Sequence, residues 1–287
     1  REAGYSEDSK NPACYRINDY LKDGENELIL KIFRWTTGSY LECQDFWRMS
    51  GIERDVFLWS QPKANIQDFR VVSTLDDTYT NGIFKLAVDL KNHTQETKNL
   101  NVGYELLDAK GNLVTSEAND IWVSPASPQT ASFEYDLKNV APWSAEHPNL
   151  YKLLMTIKEE GKVIEVVPFN VGFRRFEMKD GLMLLNGKRI VFKGVNRHEF
   201  SSVSGRHVSE EELRKDLRTM KQNNINAIRT CHYPDASKIY ELCDEYGIYM
   251  IDETNLESHG SWDVAEFTKD DTYICLLYTS DAADEGL

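Results

Sequence analysis

The chain has 287 residues, with 33 Lys plus Arg against 47 Asp plus Glu, for a formal net charge of −14. That acidity disfavours contact with phosphate backbones, so no nucleic-acid partner is expected. The 41% hydrophobic and 11% aromatic content excludes a disordered chain, and no run approaches the roughly 18 uninterrupted apolar residues of a membrane span. Cys14, Cys43, Cys231, Cys243 and Cys275 form no C-x-x-C pair and read as scattered reduced thiols. Length alone predicts about two domains of a soluble globular chain. The first residue is Arg1, with no initiator Met and no signal-peptide pattern, so no address can be read from that end.

In chain order, residues 1–62 look strand-like and rich in turns. Glu27–Phe33 is a strand candidate, followed by the aromatic and polar loop Arg34–Trp47, and Gln61-Pro62-Lys63 reads as a linker. From 63 to 175 the pattern becomes regular: Phe84, Leu86, Val88 and Leu90 alternate with Lys85, Ala87 and Asp89. Val102, Tyr104 and Leu106 repeat the alternation, as do Tyr151, Leu153, Met155 and Ile157. Period-two strands separated by turn signals predict a β-sandwich.

After Asp180 the pattern changes again. Met183-Leu184-Leu185, Asn186-Gly187 and Lys188–Phe192 predict a hairpin with a type I′ turn. Ser209 with Glu212 forms a capping box ahead of Leu213, Leu217 and Met220 at helical spacing. Asn226–Cys231 is a short buried-type strand. Asp235 is expected to cap a second helix with Ile239, Leu242, Cys243 and Tyr246 inward, ended by Gly247. Ile248–Ile251 is a third strand. Strand, helix, strand, helix, strand at this spacing predicts parallel strands with right-handed crossovers.

The chemistry falls where each of these strands stops: Gly194–Glu199, Arg229–Tyr233 and Asp252–Gly260. Ionisable residues at the C-terminal ends of successive parallel strands are how a (β/α)₈ barrel builds its active face. Asp252 and Glu253 are assigned no catalytic role, because strand-end hydrogen bonding accounts for them equally well.

Asn226–Pro234, followed by Asp244 and Gly247–Ile251, resembles the signature of glycoside hydrolase family 2. Asn196-Arg197-His198-Glu199 and Asn255–Gly260 resemble its long bacterial β-galactosidase branch. Gly38–Glu42, Gln44-Asp45 and Trp47–Ile52 resemble the sugar-binding domain of that branch. Trp143, Pro148–Tyr151 and Val171–Arg174 resemble its immunoglobulin-like domain. The resemblance, from about Gly4 to Trp262, implies a multidomain β plus α/β fold. Residues 1–62 would be the C-terminal part of a jelly-roll sugar-binding domain, 63–175 an immunoglobulin-like sandwich, and 176–274 the first three βα units of a TIM barrel.

The resemblance also implies retaining hydrolysis of terminal β-galactosides such as lactose, with a nucleophilic carboxylate and an acid/base carboxylate about 5 Å apart. Under it, Glu257 and His259 match two ligands of an active-site Mg²⁺. His198 and His232 match histidines that stabilise the transition state through sugar hydroxyls, and Arg229 matches an arginine that holds the nucleophile. Asp45 matches a carboxylate that contacts galactose and a bound Na⁺. A homo-oligomeric, cytoplasmic parent protein is expected on the same basis.

The family's acid/base lies in an Asn-Glu pair after the fourth strand, yet no Asn follows Gly260. Asp180 to Ile274 is 95 residues, against about 250 for a whole barrel. The chain is therefore expected to be an internal fragment without turnover of its own. Cys275–Glu285 does not continue a βα pattern and resembles the in-frame translation of a sequencing-library adapter, so residues 275–287 are expected to be an artefact. The alternatives are another family 2 glycosidase (β-glucuronidase or β-mannosidase) and a non-catalytic galactoside-binding relative. The Glu257-Ser258-His259 pattern speaks against the first. A zinc hydrolase on His198, His232 and His259 lacks the H-E-x-x-H spacing such sites often use.

Overall fold

In the computed structural model, which describes residues 1–125 and 127–259, side-chain alternation decides which face of each strand is buried. One unit comprises residues 57–192 with 243–248. Its strands are β1 (Ala64–Leu75), β2 (Gly82–Asn92), β3 (Lys98–Leu107), β4 (Leu113–Val123), β5 (Gln129–Leu137), β6 (Tyr151–Glu159) and β7 (Lys162–Val171). They form two antiparallel sheets, ordered β1-β2-β5 and β4-β3-β6-β7. Phe84, Leu86, Val88 and Leu90 of β2 share one core with Leu100, Val102, Tyr104 and Leu106 of β3 and with Leu153, Met155 and Ile157 of β6. This is the expected sandwich. Trp143 is fully buried, and its indole N–H donates to the Asp244 carbonyl at 2.9 Å, so the ring leaves no polar atom orphaned.

A meander follows, of β8 (Phe176–Lys179), β9 (Leu182–Leu185) and β10 (Lys188–Arg189). Asn186 and Gly187 have φ of 52° and 74°, the left-handed pair that a type I′ turn requires, and Lys188 pairs with Leu185 across it. Asp180 and Gly181 make a second such turn, with φ of 52° and 74°. The strand expected over residues 188–192 closes after Arg189.

The other unit contains residues 1–56, 193–242 and 249–259. Strands β11 (Gly194–Arg197), β12 (Ala227–Thr230) and β13 (Tyr249–Ile251) are parallel in that order. The connections carry helices α1 (Glu210–Gln222) and α2 (Ser237–Tyr246). Ser209 and Glu212 exchange the two bonds of a capping box at the start of α1, with Leu213 and Leu217 buried behind them. Gly247, at φ 71°, follows the last residue of α2.

Two expectations need correction. Asp235 does not cap α2, which begins at Ser237; its Oδ2 lies 2.6 Å from Nη1 of the buried Arg197. A charge-assisted bond to a desolvated guanidinium outweighs a helix cap. Residues 27–33 form no strand: Leu28, Ile29, Leu30, Ile32 and Phe33 are all exposed. An apolar segment becomes a strand only when a neighbour completes its hydrogen-bond ladder. Among the described residues, the regular elements of 1–62 are two 3₁₀ turns, Asn18–Tyr20 and Thr37–Tyr40. Residues 275–287 lie outside the described residues.

Candidate active site

His198 leaves β11 one residue past its end, and His232 leaves β12 two residues past its end. Parallel pairing sets Arg197 beside Thr230, so both turns emerge on the same side of the sheet. The imidazole centroids of His198 and His232 are 5.7 Å apart, with their planes nearly perpendicular. Arg229, a half-buried residue within β12, donates from Nε to the Glu253 carboxylate. The other oxygen of Glu253 lies 3.0 Å from Nδ1 of His232, which is also 3.4 Å from an Arg229 terminal nitrogen. One carboxylate thus ties together the arginine and the histidine that the sequence places in the site. The sequence alone assigns Glu253 no catalytic role. Asp252 behaves as such an acid, accepting from Thr230 at 2.9 Å and from Tyr240 at 2.9 and 3.0 Å.

A second strand-end loop, 255–259, is joined to residues 41–44. Glu257 N–H donates to the Leu41 carbonyl at 2.7 Å, and its own carbonyl accepts from Cys43 at 2.8 Å and Gln44 at 3.3 Å. Buried Gln44 donates through its side-chain amide to buried Asn255. Gln44 and Asp45 both adopt left-handed backbone, φ 36° and 41°, so the chain turns sharply there and leaves Asp45 exposed.

Glu257 Oε1 lies 2.8 Å from His259 Nδ1. Among the described residues, Oε2 of Glu257 is buried and has no hydrogen-bond partner. A desolvated carboxylate oxygen without a partner is costly unless a cation takes it, so the pair fits two ligands of a hard divalent ion. Among the described residues, no three His, Cys, Asp or Glu side chains converge as a complete metal cage. Two protein donors would leave most of the coordination shell to water and other oxygens.

Burial, then the neighbouring His232 and Arg206, holds the His198 imidazole below the ordinary histidine value, with Glu257 opposing weakly. The bond to Glu253 raises the already high Arg229 value further, so that guanidinium is a fixed positive charge.

Two residues that sequence reasoning did not single out shape the site. Phe46, next to Asp45, stacks on His198 with centroids 4.2 Å apart and an interplanar angle of 3°. Tyr233, next to His232, is fully buried. Lys10 and Arg206 lie over its ring, at 4.4 and 5.2 Å from the centroid, and both cations pair with Glu53. Arg54 joins the same layer, donating at 2.8 Å to Glu199, whose other oxygen accepts from Ala236 at 2.7 Å. The available signal was adjacency to a singled-out residue, and adjacency does not specify contact.

Comparison with known proteins covers nearly the whole chain. Residues 1–62 match the sugar binding domain of glycosyl hydrolases family 2, residues 64–174 match the glycosyl hydrolases family 2 model, and residues 176–285 match that family's TIM barrel domain. The chain is 49% identical to a β-galactosidase of Priestia megaterium over 262 residues, 90% of this chain and 25% of that protein. It is also 49% identical to a β-galactosidase of Streptococcus thermophilus over 259 residues, 90% of this chain and 24% of that one. Among solved structures, the β-D-glucuronidase of Dictyoglomus thermophilum superposes with a TM-score of 0.65 at 27% identity, over 76% of this chain and 34% of that one. The chain spans about a quarter of the length of the β-galactosidases it matches.

Proposed function

The chain belongs to glycoside hydrolase family 2, and from that premise we propose that its parent protein hydrolyses terminal β-galactosides with retention of configuration. The observation that carries this reading is the meeting of His198, His232 and Arg229 at neighbouring strand ends, in a chain 49% identical to two β-galactosidases. Imidazoles 5.7 Å apart can hydrogen-bond separate hydroxyls of one sugar ring, and such bonds accelerate hydrolysis when they strengthen in the transition state. The permanent charge of Arg229 would keep a nearby nucleophilic carboxylate ionised. Asp45 would accept from a galactose hydroxyl and share a Na⁺. Glu257 and His259 would supply two ligands to Mg²⁺. Bound there, that ion would supply electrostatic support to the reacting acid.

The 287 residues hold no Asn-Glu pair after Gly260, so the chain as it stands would bind a galactoside without turning it over. Among the described residues, Cys14, Cys43 and Cys231 are free thiols, which suits a reducing, cytoplasmic setting. Among the described residues no helix is long and apolar enough to cross a membrane. Self-association of the parent rests on the family alone.

Calorimetric titration of the 287-residue chain with a non-hydrolysable β-thiogalactoside and the matching β-glucuronide tests the substrate. Preference for the galactoside, lost in His198→Ala/His232→Ala, is expected. Equal or tighter binding of the glucuronide would overturn the galactoside reading. Release of chromophore from a β-galactoside above the buffer blank would overturn the absence of turnover.

A further inference from the structure

The hydroxyl of Tyr233 has one proton and two lone pairs. The backbone N–H of Glu199 donates to its oxygen at 3.1 Å, which occupies a lone pair and leaves the proton needing an acceptor. Among the described residues, the other polar atom within reach is Nδ1 of His198, at 3.5 Å. The phenol cannot swing away, because its buried ring is held under Lys10 and Arg206. Burial pushes its pKa up to about 12, so it remains a donor. The imidazole is fixed from its other side by the parallel ring of Phe46.

We infer that Tyr233 is a positioning residue, which fixes neutral His198 in the tautomer with Nδ1 as acceptor and the proton on Nε2. The hydrogen bond made by one imidazole nitrogen decides which nitrogen carries the proton. The opposite tautomer would aim Nδ1–H at a hydroxyl already accepting from Glu199, and would strand the buried phenolic proton without an acceptor. The consequence for substrate rests on the proposed galactoside reading. An Nε2–H donor approaches a sugar hydroxyl through its oxygen, leaving that hydroxyl's own proton free for another acceptor.

The test is long-range ¹H–¹⁵N correlation spectroscopy of histidine rings in the ¹⁵N-labelled 287-residue chain, above the histidine titration range. His198 is assigned by the signal missing from His198→Gln. A pyridine-type Nδ1 with a protonated Nε2 is expected in the wild type. Tyr233→Phe keeps the ring under both cations and removes the donor, so the His198 signals should move toward a mixture of tautomers. A protonated Nδ1 in the wild type, or an unchanged tautomer in a folded Tyr233→Phe, would overturn the inference. The wild-type spectrum is decisive even if the variant fails to fold. No sugar is present, so failure to bind a galactoside would strike the proposed function and leave the tautomer assignment standing.

Discussion

The rings of Phe46 and His198 lie parallel, 4.2 Å between centroids and 3° between planes, although 152 positions separate the two residues in the sequence. Phe46 in turn sits 5.1 Å from the Arg206 guanidinium and 5.1 Å from the Trp47 ring. The stack therefore belongs to a layer that holds the histidine flat.

Replacing Phe46 with Leu keeps an apolar side chain but removes the π-face. We expect the His198 ring protons to shift downfield as the ring current disappears. A Phe46→Leu/His198→Leu double-mutant cycle should show a coupling of about 0.5–1.5 kcal/mol. Unchanged His198 resonances would show that the stack does not persist in solution.

Arg197 and Asp235 form a second relationship beneath the site. Both are buried, with Nη1 and Oδ2 at 2.6 Å, and Arg197 also reaches Asp216 at 3.2 Å. Asp235→Ala would leave a desolvated guanidinium with only its half-exposed partner, a loss expected to cost about 3–5 kcal/mol. Amide exchange of β12 measures this directly. Full protection in the variant would mean that Arg197 finds other compensation.

Legibility in the sequence followed burial. β2, β3 and β6 lie inside their sheets with one face in the core, so each shows the two-residue alternation. β4 and β7 are edge strands; β4 is mostly exposed, and the apolar residues of β7 fall on both faces, so neither shows a clean alternation. The α1 capping box is local and was readable from Ser209 and Glu212. Asp235 looked like a cap by the same local logic, but a partner 38 residues away took it. The strand ends gave the segments that hold His198, His232 and Arg229, because parallel βα units put them at one edge, and the family resemblance picked out those residues within them. Glu253 was invisible as a partner, since only the three-dimensional register brings it to both Arg229 and His232.

The lowered pKa of His198 fixes the sign of a pH effect. Burial, then His232 and Arg206, disfavours the imidazolium in the folded chain. The unfolded chain, with an ordinary value of about 6.5, binds the proton first as pH falls. Between the folded and unfolded values the unfolded state carries more protons, so stability there rises with pH. The destabilising contribution grows as pH drops below about 6.5 and is complete below the folded value. Denaturant midpoints measured across that window should fall less steeply in His198→Gln than in the wild type. Equal slopes would place the proton elsewhere.

Among the described residues, the buried Glu257 Oε2 has no partner to offset its desolvation. Glu257 is anchored by its backbone to Leu41 and Cys43, so its carboxylate cannot leave the site without breaking that pairing. If the orphan oxygen is a cation ligand, Mg²⁺ should perturb the His259 ring resonances of the 287-residue chain at millimolar rather than micromolar concentration, because two protein ligands leave most of the shell to water. Glu257→Gln keeps the shape and removes the charge, and it should abolish the perturbation. Asp45→Asn should leave the Mg²⁺ response intact while reducing any Na⁺ response. A Mg²⁺ shift that survives in Glu257→Gln would mean the ion binds elsewhere on this acidic surface, and the buried oxygen would then need a water instead.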